Sequence, residues 1–430
     1  MKTNSLIFLL LVCLLSCNRS KKVITHFDDY KSYLSPAKHV SSDQTTEELK
    51  FWEERLKTNN NDEASLAKLG SIHAELFKST GLVEHILMSD SLYTLVLKSY
   101  PKGNVEIYQS LAANAITQHK FQSAKDYTEK ALALKDKKAA SLLILVDVSL
   151  EIGDYARANL VLKDFKNKNS FAYLIRKAKL EDHEGHLDSA IVCMEKAYRR
   201  IKGNKALSQW TRSNIADMYG HAGRIKDSYD LYLKVLKDNP KDDYALKGIA
   251  WIALSHDLNT GAAKTIINEL AVRRRMPEAH LMLAEIAELD GDLTEKADHL
   301  KKFKSLVTFP QYKTMYHKYL AVLEAEEFQN PDAAVGIALE EIANRPTPQS
   351  YDLLAWAYYQ QNNFKEAFSV ATRQVENQTF EPEAFYHLGI IYQANGNYDK
   401  ASYYLNEALA SEFELGPSIS KKIKFALQNL

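Results

Sequence analysis

The sequence is poor in cysteine, glycine and proline. Its 430 residues include only three cysteines, 15 glycines and 10 prolines. Three thiols are too few for the disulfide framework of a small secreted domain, and so little glycine and proline excludes a collagen-like or Gly/Pro-rich disordered chain. An excess of charge is absent too, because 55 Lys and Arg balance 55 Asp and Glu. Nucleic-acid binding over a whole surface depends on excess positive charge, so the composition argues against it.

Long apolar runs are also missing, apart from one near the first residue. Residues 6–15 read LIFLLLVCLL, which is shorter than the ~20 residues that cross a bilayer and is typical of a signal peptide. Leu-Leu-Ser-Cys follows at residues 14–17 and resembles the lipobox of bacterial lipoproteins. The resemblance implies cleavage after Ser16 and attachment of lipid, such as palmitate, to Cys17. The alternative is an ordinary secretory signal in which Cys17 is incidental.

The residues after Cys17 indicate which membrane surface a lipid would anchor to. In proteobacterial lipoproteins an Asp after the cysteine resembles an inner-membrane retention signal, and Asn18 stands there instead. Residues 18–22 are basic and do not resemble the acidic surface-export tag of some Bacteroidetes lipoproteins. The resemblance therefore implies an outer-membrane lipoprotein that faces the periplasm. We expect residues 1–16 to be the signal peptide and residues 17–44 to be a tether.

From about residue 62 the sequence repeats one pattern. In most copies a glycine or polar turn residue is followed two positions later by a large apolar residue and three positions after that by a small one. The turn positions are His119, Gly153, Gly185, Gly223, Asp257, Gly291, Gln329, Asn362 and Gly396. They lie 32 to 38 residues apart, and four of the eight steps are 34 residues. A repeat of this length predicts helix pairs stacked in a row, because a single pair cannot bury its apolar face.

The clearest copy, AFYHLGIIYQANGNYDKA at residues 384–401, resembles the tetratricopeptide repeat (TPR), a helix-turn-helix unit of about 34 residues. The closing proline of that repeat is present as Pro240 and Pro346 and missing from several other units. The resemblance implies an all-α, right-handed superhelical solenoid of about nine to ten repeats. We expect an N-terminal helix and an atypical stretched repeat at 45–104, a TPR array at 105–414, and a C-terminal capping helix at 415–430.

In a TPR array the first helix of each pair lines the concave face, so the resemblance implies which side chains point into the groove. The predicted groove residues are Trp210, Tyr244, Lys247, Trp251, Glu285, Tyr316, Tyr319, Trp356, Tyr359 and Tyr386. Aromatic side chains offer large contact areas and dominate binding hot spots. The groove at residues 210–393 is therefore predicted to bind an extended peptide or a glycan. For each ring, packing against the neighbouring repeat is the alternative.

The sequence contains no recognisable motif for catalysis. It has no Gly-rich phosphate loop, and His183 and His186 lack the i, i+4 spacing of zinc peptidases. Arg273 to Arg275 are expected to form a solvent-facing basic helix end. We expect no catalytic residue, cofactor or metal, and interpret the chain as a protein-binding scaffold or adaptor of the bacterial cell envelope. A glycan-binding lipoprotein of an envelope uptake system is the second hypothesis.

Overall fold

The computed structural model describes residues 22–34, 43–201 and 203–430. Within these ranges the chain is helical and has no β-strand, which confirms the predicted all-α fold class. None of the helices in this part of the chain combines the length and apolarity that a membrane crossing requires. The predicted signal peptide and Cys17 lie outside the described residues.

The helices are numbered in chain order. Short 3₁₀ turns, Lys31–Tyr33 and Thr314–Tyr316, follow α1 and α17, and a π-helical turn, Ala371–Val375, follows α21. The helices are α1 (Phe27–Tyr30), α2 (Asp43–Thr58), α3 (Glu63–Thr80), α4 (Val83–Lys98), α5 (Val105–Thr117), α6 (Phe121–Ala133), α7 (Lys138–Glu151), α8 (Tyr155–Asp164), α9 (Phe171–His183), α10 (Leu187–Arg200), α11 (Lys205–His221), α12 (Ile225–Asp238), α13 (Asp243–Ser255), α14 (Thr260–Arg273), α15 (Glu278–Asp290), α16 (Leu293–Val307), α17 (Pro310–Lys313), α18 (His317–Glu326), α19 (Pro331–Asn344), α20 (Pro348–Gln360), α21 (Phe364–Val370), α22 (Pro382–Ala394), α23 (Tyr398–Ala410) and α24 (Glu412–Gln428).

From α3 onward, consecutive helices pack in pairs, ten of them among the described residues. The pairs are α3/α4, α5/α6, α7/α8, α9/α10, α11/α12, α13/α14, α15/α16, α18/α19, α20/α21 and α22/α23. The prediction of nine to ten helix-turn-helix units in a solenoid is confirmed. Stacking explains the architecture, because each pair buries against its neighbours the apolar face that it would expose alone.

The turns fall where the repeat pattern predicts them. Eight of the nine predicted turn residues have a left-handed backbone, with φ between 52° and 81°. This conformation ends a helix and costs least at glycine or at a small polar residue. The small residue five positions later lies at the helix crossing, as at Ala124 and Ala401, which are fully buried. The repeat pattern therefore locates both the turn and the close contact of most pairs.

The α13/α14 pair departs from the pattern by one residue. Leu258, and not the predicted Asp257, has the left-handed backbone, with φ 53°. In register with this shift, Ala263 is fully buried while Ala262 is only partly buried. The Asp257 carboxylate accepts hydrogen bonds from the backbone amides of residues 24–25, at 3.0 and 2.8 Å. A long-range contact thus accompanies the local change in the turn.

Residues 22–34, which fall within the segment predicted as a tether (17–44), are docked on the array. Besides the two amides bound by Asp257, the Tyr30 side chain is buried in the core formed around α12, α13 and α14. The carboxylate of Asp257 is fully buried, and the backbone of this segment supplies the donors that a buried carboxylate needs. The sequence signal was too weak to reveal this because the segment has almost no helical periodicity.

The C-terminal helix α24 caps the last pair and also reaches beyond it. It begins at Glu412, three residues before the predicted start at 415, and bends at Gly416, where φ is 80° and ψ is 169°. After the bend, Ile423 and Ala426 are buried against the last pair. Around the bend, the chain contacts α11, α13 and α15, which belong to the middle of the array. The cap therefore enters the interior of the solenoid.

Contacts also recur between units far apart in sequence. Arg274 donates to the Lys78 carbonyl (3.5 Å), and Thr314 donates to the Gln118 carbonyl (3.0 Å), with 196 residues between the partners in both cases. Arg345 contacts Glu151 at 3.4 Å across 194 residues. The repeated separation indicates that the solenoid completes one turn in about six repeats, so that successive turns touch.

Candidate functional site

The first helices of the middle pairs line a concave groove in which the beginning of α24 lies. A cavity of about 440 Å³ opens here between α11, α13, α15, α18 and the start of α24. Half of the predicted groove residues line it: Tyr244, Lys247, Trp251, Glu285 and Tyr319. Tyr244 and Tyr319 are 43% and 42% exposed, so their rings are open to a ligand.

Asp217 organises one end of this cavity. Its carboxylate accepts hydrogen bonds from the hydroxyl groups of Tyr232 and Tyr244. Burial, followed by the charge of Asp217, raises the pKa of both tyrosines. The ammonium group of Lys247 lies 5.2 Å from the centre of the Tyr244 ring. These contacts hold the Tyr244 ring in a fixed position at the mouth of the cavity.

Trp251 and Glu285 line the cavity floor and contact the chain's own C-terminal segment. The indole Nε1 of Trp251 donates to the Phe413 carbonyl at 3.0 Å. The backbone amide of Ser418 donates to Glu285 at 3.4 Å. Desolvation by burial is the main reason why the pKa of the Glu285 carboxyl is raised from 4.5 to about 7. The predicted groove residues therefore already bind a peptide backbone, and it belongs to the same chain.

A second cavity of about 660 Å³ lies on the other side of α24. Trp356, Tyr359 and Tyr386 line it from α20 and α22, and the α24 side chains Lys422 and Phe425 line it from the opposite side. The indole of Trp356 donates to Glu326 at 2.8 Å, and Tyr359 stacks on it with ring centres 4.9 Å apart. Lys422 also contacts Glu326, at 2.9 Å.

Three predicted groove rings are buried and do not offer an open face. Tyr316 is 6% exposed, because it fills the core against Phe303 and donates its hydroxyl to Glu278 at 3.0 Å. Trp356 is 3% exposed between Tyr359 and His387, and Tyr386 is 7% exposed. For these rings the packing alternative holds.

Trp210 is 44% exposed but lines neither cavity. It lies edge-to-face against Phe171, with ring centres 6.2 Å apart. The structure thus brings together five predicted residues in the first cavity and three at the second, and it separates Trp210 and Tyr316 from both.

Sequence reasoning missed the contribution of the C-terminal segment. A glycine inside a helix was the available signal, since a helix needs no glycine there and a glycine permits close approach. A Cβ on Gly220 would lie 2.6 Å from the Phe413 ring. Gly220 therefore marks the place where a ring from α24 meets α11.

Carboxylates surround the start of α24. Burial raises the pKa of the Glu414 carboxyl, and the negative charges of Glu381 and Asp182 raise it further. His221 acts in the opposite direction, with its Nδ1 3.6 Å from Glu414. Lys318 also favours the charged form, but its ammonium is bound to a different carboxylate at 2.7 Å. Charges of both signs therefore act on Glu414, and burial is the main cause of its raised pKa.

The one cluster with metal-ligand chemistry in the described part of the chain is made of Glu181, Glu184 and His186, at a repeat turn. The ammonium of Lys177 lies 2.6 Å from Glu181, and His183 stacks on Tyr155 away from the cluster. A cation already neutralises the most buried carboxylate, and the arrangement is that of a solvated ion-pair network.

Comparisons with known proteins agree with the helical-repeat architecture. Residues 382–412 match the family model of the tetratricopeptide repeat. A stretch of 226 residues is 24% identical to "Protein CTR9 homolog" of Arabidopsis thaliana, and this stretch covers 50% of the chain but only 18% of that relative.

Three solved structures are similar to the chain in part. A tetratricopeptide repeat protein of Parabacteroides merdae is 18% identical (60% of this chain, 97% of that chain, TM-score 0.36). PilF of Pseudomonas aeruginosa is 13% identical (49% and 96%, TM-score 0.36), and yeast Tom70 is 12% identical (85% and 95%, TM-score 0.36). The chain thus carries a recognisable tetratricopeptide repeat, α22/α23, within an array of helix pairs.

Proposed function

We propose that this chain is a non-catalytic scaffold or adaptor that binds a protein partner through a peptide segment in its concave groove, while a lipid on Cys17 anchors it in the bacterial cell envelope. The observation that carries the proposal is the occupant of the groove. Trp251 and Glu285 contact the backbone of residues 413–418, so the groove has the shape and the polar groups to hold a polypeptide. Unfilled space remains on both sides of that segment, about 440 and 660 Å³.

Peptide is a better candidate than glycan for this groove. Sugar binding on aromatic residues needs an open ring face, and Trp356 has its indole between Tyr359 and His387. The open rings, Tyr244 and Tyr319, lie in a cavity whose floor contacts peptide backbone. No specific feature of the described residues favours the glycan-binding hypothesis.

The experiment that tests the scaffold is photo-crosslinking in cells. A photoreactive amino acid replaces Tyr319 in the groove or, as a matched control, Tyr403, which is 58% exposed on the second helix of its pair. We expect a discrete protein adduct, identified by mass spectrometry, from position 319 and not from position 403. Adducts of equal yield from both positions, or from neither, would contradict the proposal.

The proposed lipid anchor rests on the lipobox resemblance. The docked N-terminal segment limits how far the solenoid can lie from that lipid. Only four residues separate Cys17 from Lys22, where the described segment begins. A stretch of that length spans at most about 18 Å. A lipid on Cys17 would thus hold the docked face of the solenoid close to the membrane. We expect Cys17→Ala to move the protein from the membrane fraction to the soluble fraction, and unchanged fractionation would refute the anchor.

A further inference from the structure

The stretch Phe413–Ser418 crosses the groove between the two cavities. Its first half contacts the middle of the array through the Phe413 ring and carbonyl, and its last residue contacts Glu285. The rest of α24 is held separately, because Ile423 and Ala426 are buried against the last helix pair. The crossing stretch is therefore attached to a cap that has its own core, and Leu415 within the stretch also belongs to that core.

The groove is shaped for the backbone and the aromatic ring of this stretch. The Phe413 ring lies against Gly220, where any larger residue would collide with it. Gly416 has φ 80° and ψ 169°, a conformation that is essentially restricted to glycine, and a Cβ there would lie 2.9 Å from both Trp251 and Glu285. Two features define the site: the space that holds the Phe413 ring, and the narrow gap that admits only a glycine at position 416.

The polar groups of the stretch fit the groove less well than its shape does. The Glu414 carboxylate has the imidazole Nδ1 of His221 3.6 Å away, beyond ordinary hydrogen-bond distance. The buried hydroxyl of Ser418 finds no hydrogen-bond partner among the described residues. The contact between the Ser418 amide and Glu285 is long, at 3.4 Å. A ligand with the same shape and better matched polar groups would bind more tightly than the chain's own segment.

We propose that Phe413–Ser418 occupies the binding site of a partner peptide and that the partner peptide displaces it. The binding site is the place where the Phe413 ring lies against Gly220 and the Phe413 carbonyl accepts from Trp251. The partner segment would carry an aromatic residue and, three positions later, a glycine. Trp251 would donate to the carbonyl of the aromatic residue, as it does to that of Phe413. This inference rests on the proposed peptide-binding function and specifies its ligand.

Peptide binding in trans tests the displacement. The probe is a fluorescent peptide with the sequence of residues 410–420, and the same peptide with the change Phe413→Ala is its control. Both are titrated into three proteins: wild type, Gly416→Ala, in which the added methyl group expels the stretch, and Gly336→Ala. Gly336 has nothing within 4 Å of the site of a Cβ, so its variant controls for the glycine-to-alanine change itself.

We expect the probe peptide to bind Gly416→Ala at least ten times more tightly than it binds wild type or Gly336→Ala, as measured by fluorescence anisotropy. It should also bind Gly416→Ala about ten times more tightly than the Phe413→Ala peptide does. A second change in the protein, Trp251→Ala, should abolish the tighter binding by Gly416→Ala. Equal affinity for wild type and Gly416→Ala, or binding unaffected by Trp251→Ala, would overturn the proposal.

Two further measurements keep the outcome decisive. If circular dichroism shows that Gly416→Ala does not fold, Phe413→Ala takes its place, because it empties the space that holds the Phe413 ring without straining the backbone. Crosslinking from position 319 in cells separates this inference from the function on which it rests. If wild type and the opened variant capture a partner equally, displacement is refuted and the scaffold function is unaffected. If the peptide binds tightly but no cellular adduct forms, the scaffold function is refuted and the peptide-binding site is unaffected.

Discussion

Both ends of the chain fold back onto the same middle repeats, but they are held in different ways. The N-terminal segment, residues 22–34, contacts the second helices α12 and α14 and the turn at Asp257. The C-terminal stretch contacts the first helices α11, α13 and α15. The repeat α13/α14 therefore lies between the two ends of the chain.

The polar contacts of the two ends differ in quality. Asp257 receives two backbone amides and the hydroxyl of Thr25, the last at 2.7 Å, and Arg273 donates to the Tyr33 carbonyl at 2.6 Å. The C-terminal stretch has one hydrogen bond of ordinary length to the array, from Trp251 to Phe413. The N-terminal end thus has more and shorter hydrogen bonds to the array, in agreement with the proposed displacement of the C-terminal stretch.

Removal of Arg273 should have the largest effect on the N-terminal end. The expectation that this residue faces solvent is wrong, since its side chain is buried and bound to Asp243 at 3.1 Å as well as to Tyr33. We expect Arg273→Ala to lower the free energy of unfolding by about 3–5 kcal/mol, because a buried carboxylate would lose its partner. Urea denaturation measures this. A loss below about 1 kcal/mol would mean that water replaces the guanidinium.

Asp257→Ala should have the next largest effect and should act on residues 22–34 alone. We expect a loss of about 2–4 kcal/mol, because charge-assisted hydrogen bonds contribute about 1.5–3 kcal/mol each and the released amides can reach water. Hydrogen exchange should become fast at residues 24 and 25 while α24 keeps its protection. Asp257→Asn, which retains one acceptor oxygen, is the matched control and should show an intermediate loss. Faster exchange in α24 as well would show that the two ends are coupled.

The C-terminal end should respond to pH through Glu285. Because its pKa rises from 4.5 to about 7 on folding, the folded protein keeps a proton that the unfolded chain releases between these values. Its contribution to stability is therefore present at pH 4.5 and below, and is lost as pH rises through about 7. The groups that face it are Ser418, Glu288 and Lys422.

Glu285→Gln isolates this effect, since an amide does not titrate. Between pH 5 and pH 8 the free energy of unfolding of wild type should fall, relative to that of Glu285→Gln, by on the order of 1–3 kcal/mol. A pKa difference of one unit between the folded and unfolded states corresponds to about 1.4 kcal/mol. Urea titrations at both pH values measure the difference. Parallel stability curves for the two proteins would show that Glu285 is ionised throughout.

The smallest effect is expected away from both ends. Lys264 and Glu295 form an ion pair of 2.7 Å between neighbouring repeats, with both side chains about one-third exposed. We expect Lys264→Ala to cost less than about 1 kcal/mol, because solvent screens such pairs. This variant supplies the baseline against which Arg273→Ala is compared. A loss as large as that of Arg273→Ala would remove the distinction between the docked ends and the ordinary repeat contacts.

The features that were predicted correctly from the sequence are those that depend on residues close together in the chain. Turn residues such as Gly153 and crossing residues such as Ala124 lie where the period of about 34 residues places them, because each repeat meets the same packing requirement. Contacts across about 200 residues, such as Asp257 with residues 24–25, follow no period and were not predictable. The groove was only partly anticipated. The aromatic pattern identifies first helices, but it cannot distinguish an open ring such as Tyr244 from a buried ring such as Trp356.

The contacts between successive turns of the solenoid limit how the array can change in length. In an open solenoid one repeat can be gained or lost at little cost to the others, because each unit touches only its neighbours. Here an insertion of 34 residues between Glu151 and Arg274 would shift one winding against the next and separate Lys78 from Arg274, Gln118 from Thr314 and Glu151 from Arg345 together. The contacts between successive turns therefore fix the number of repeats in this solenoid. Repeat duplication, which lengthens other arrays easily, would here break many contacts at once.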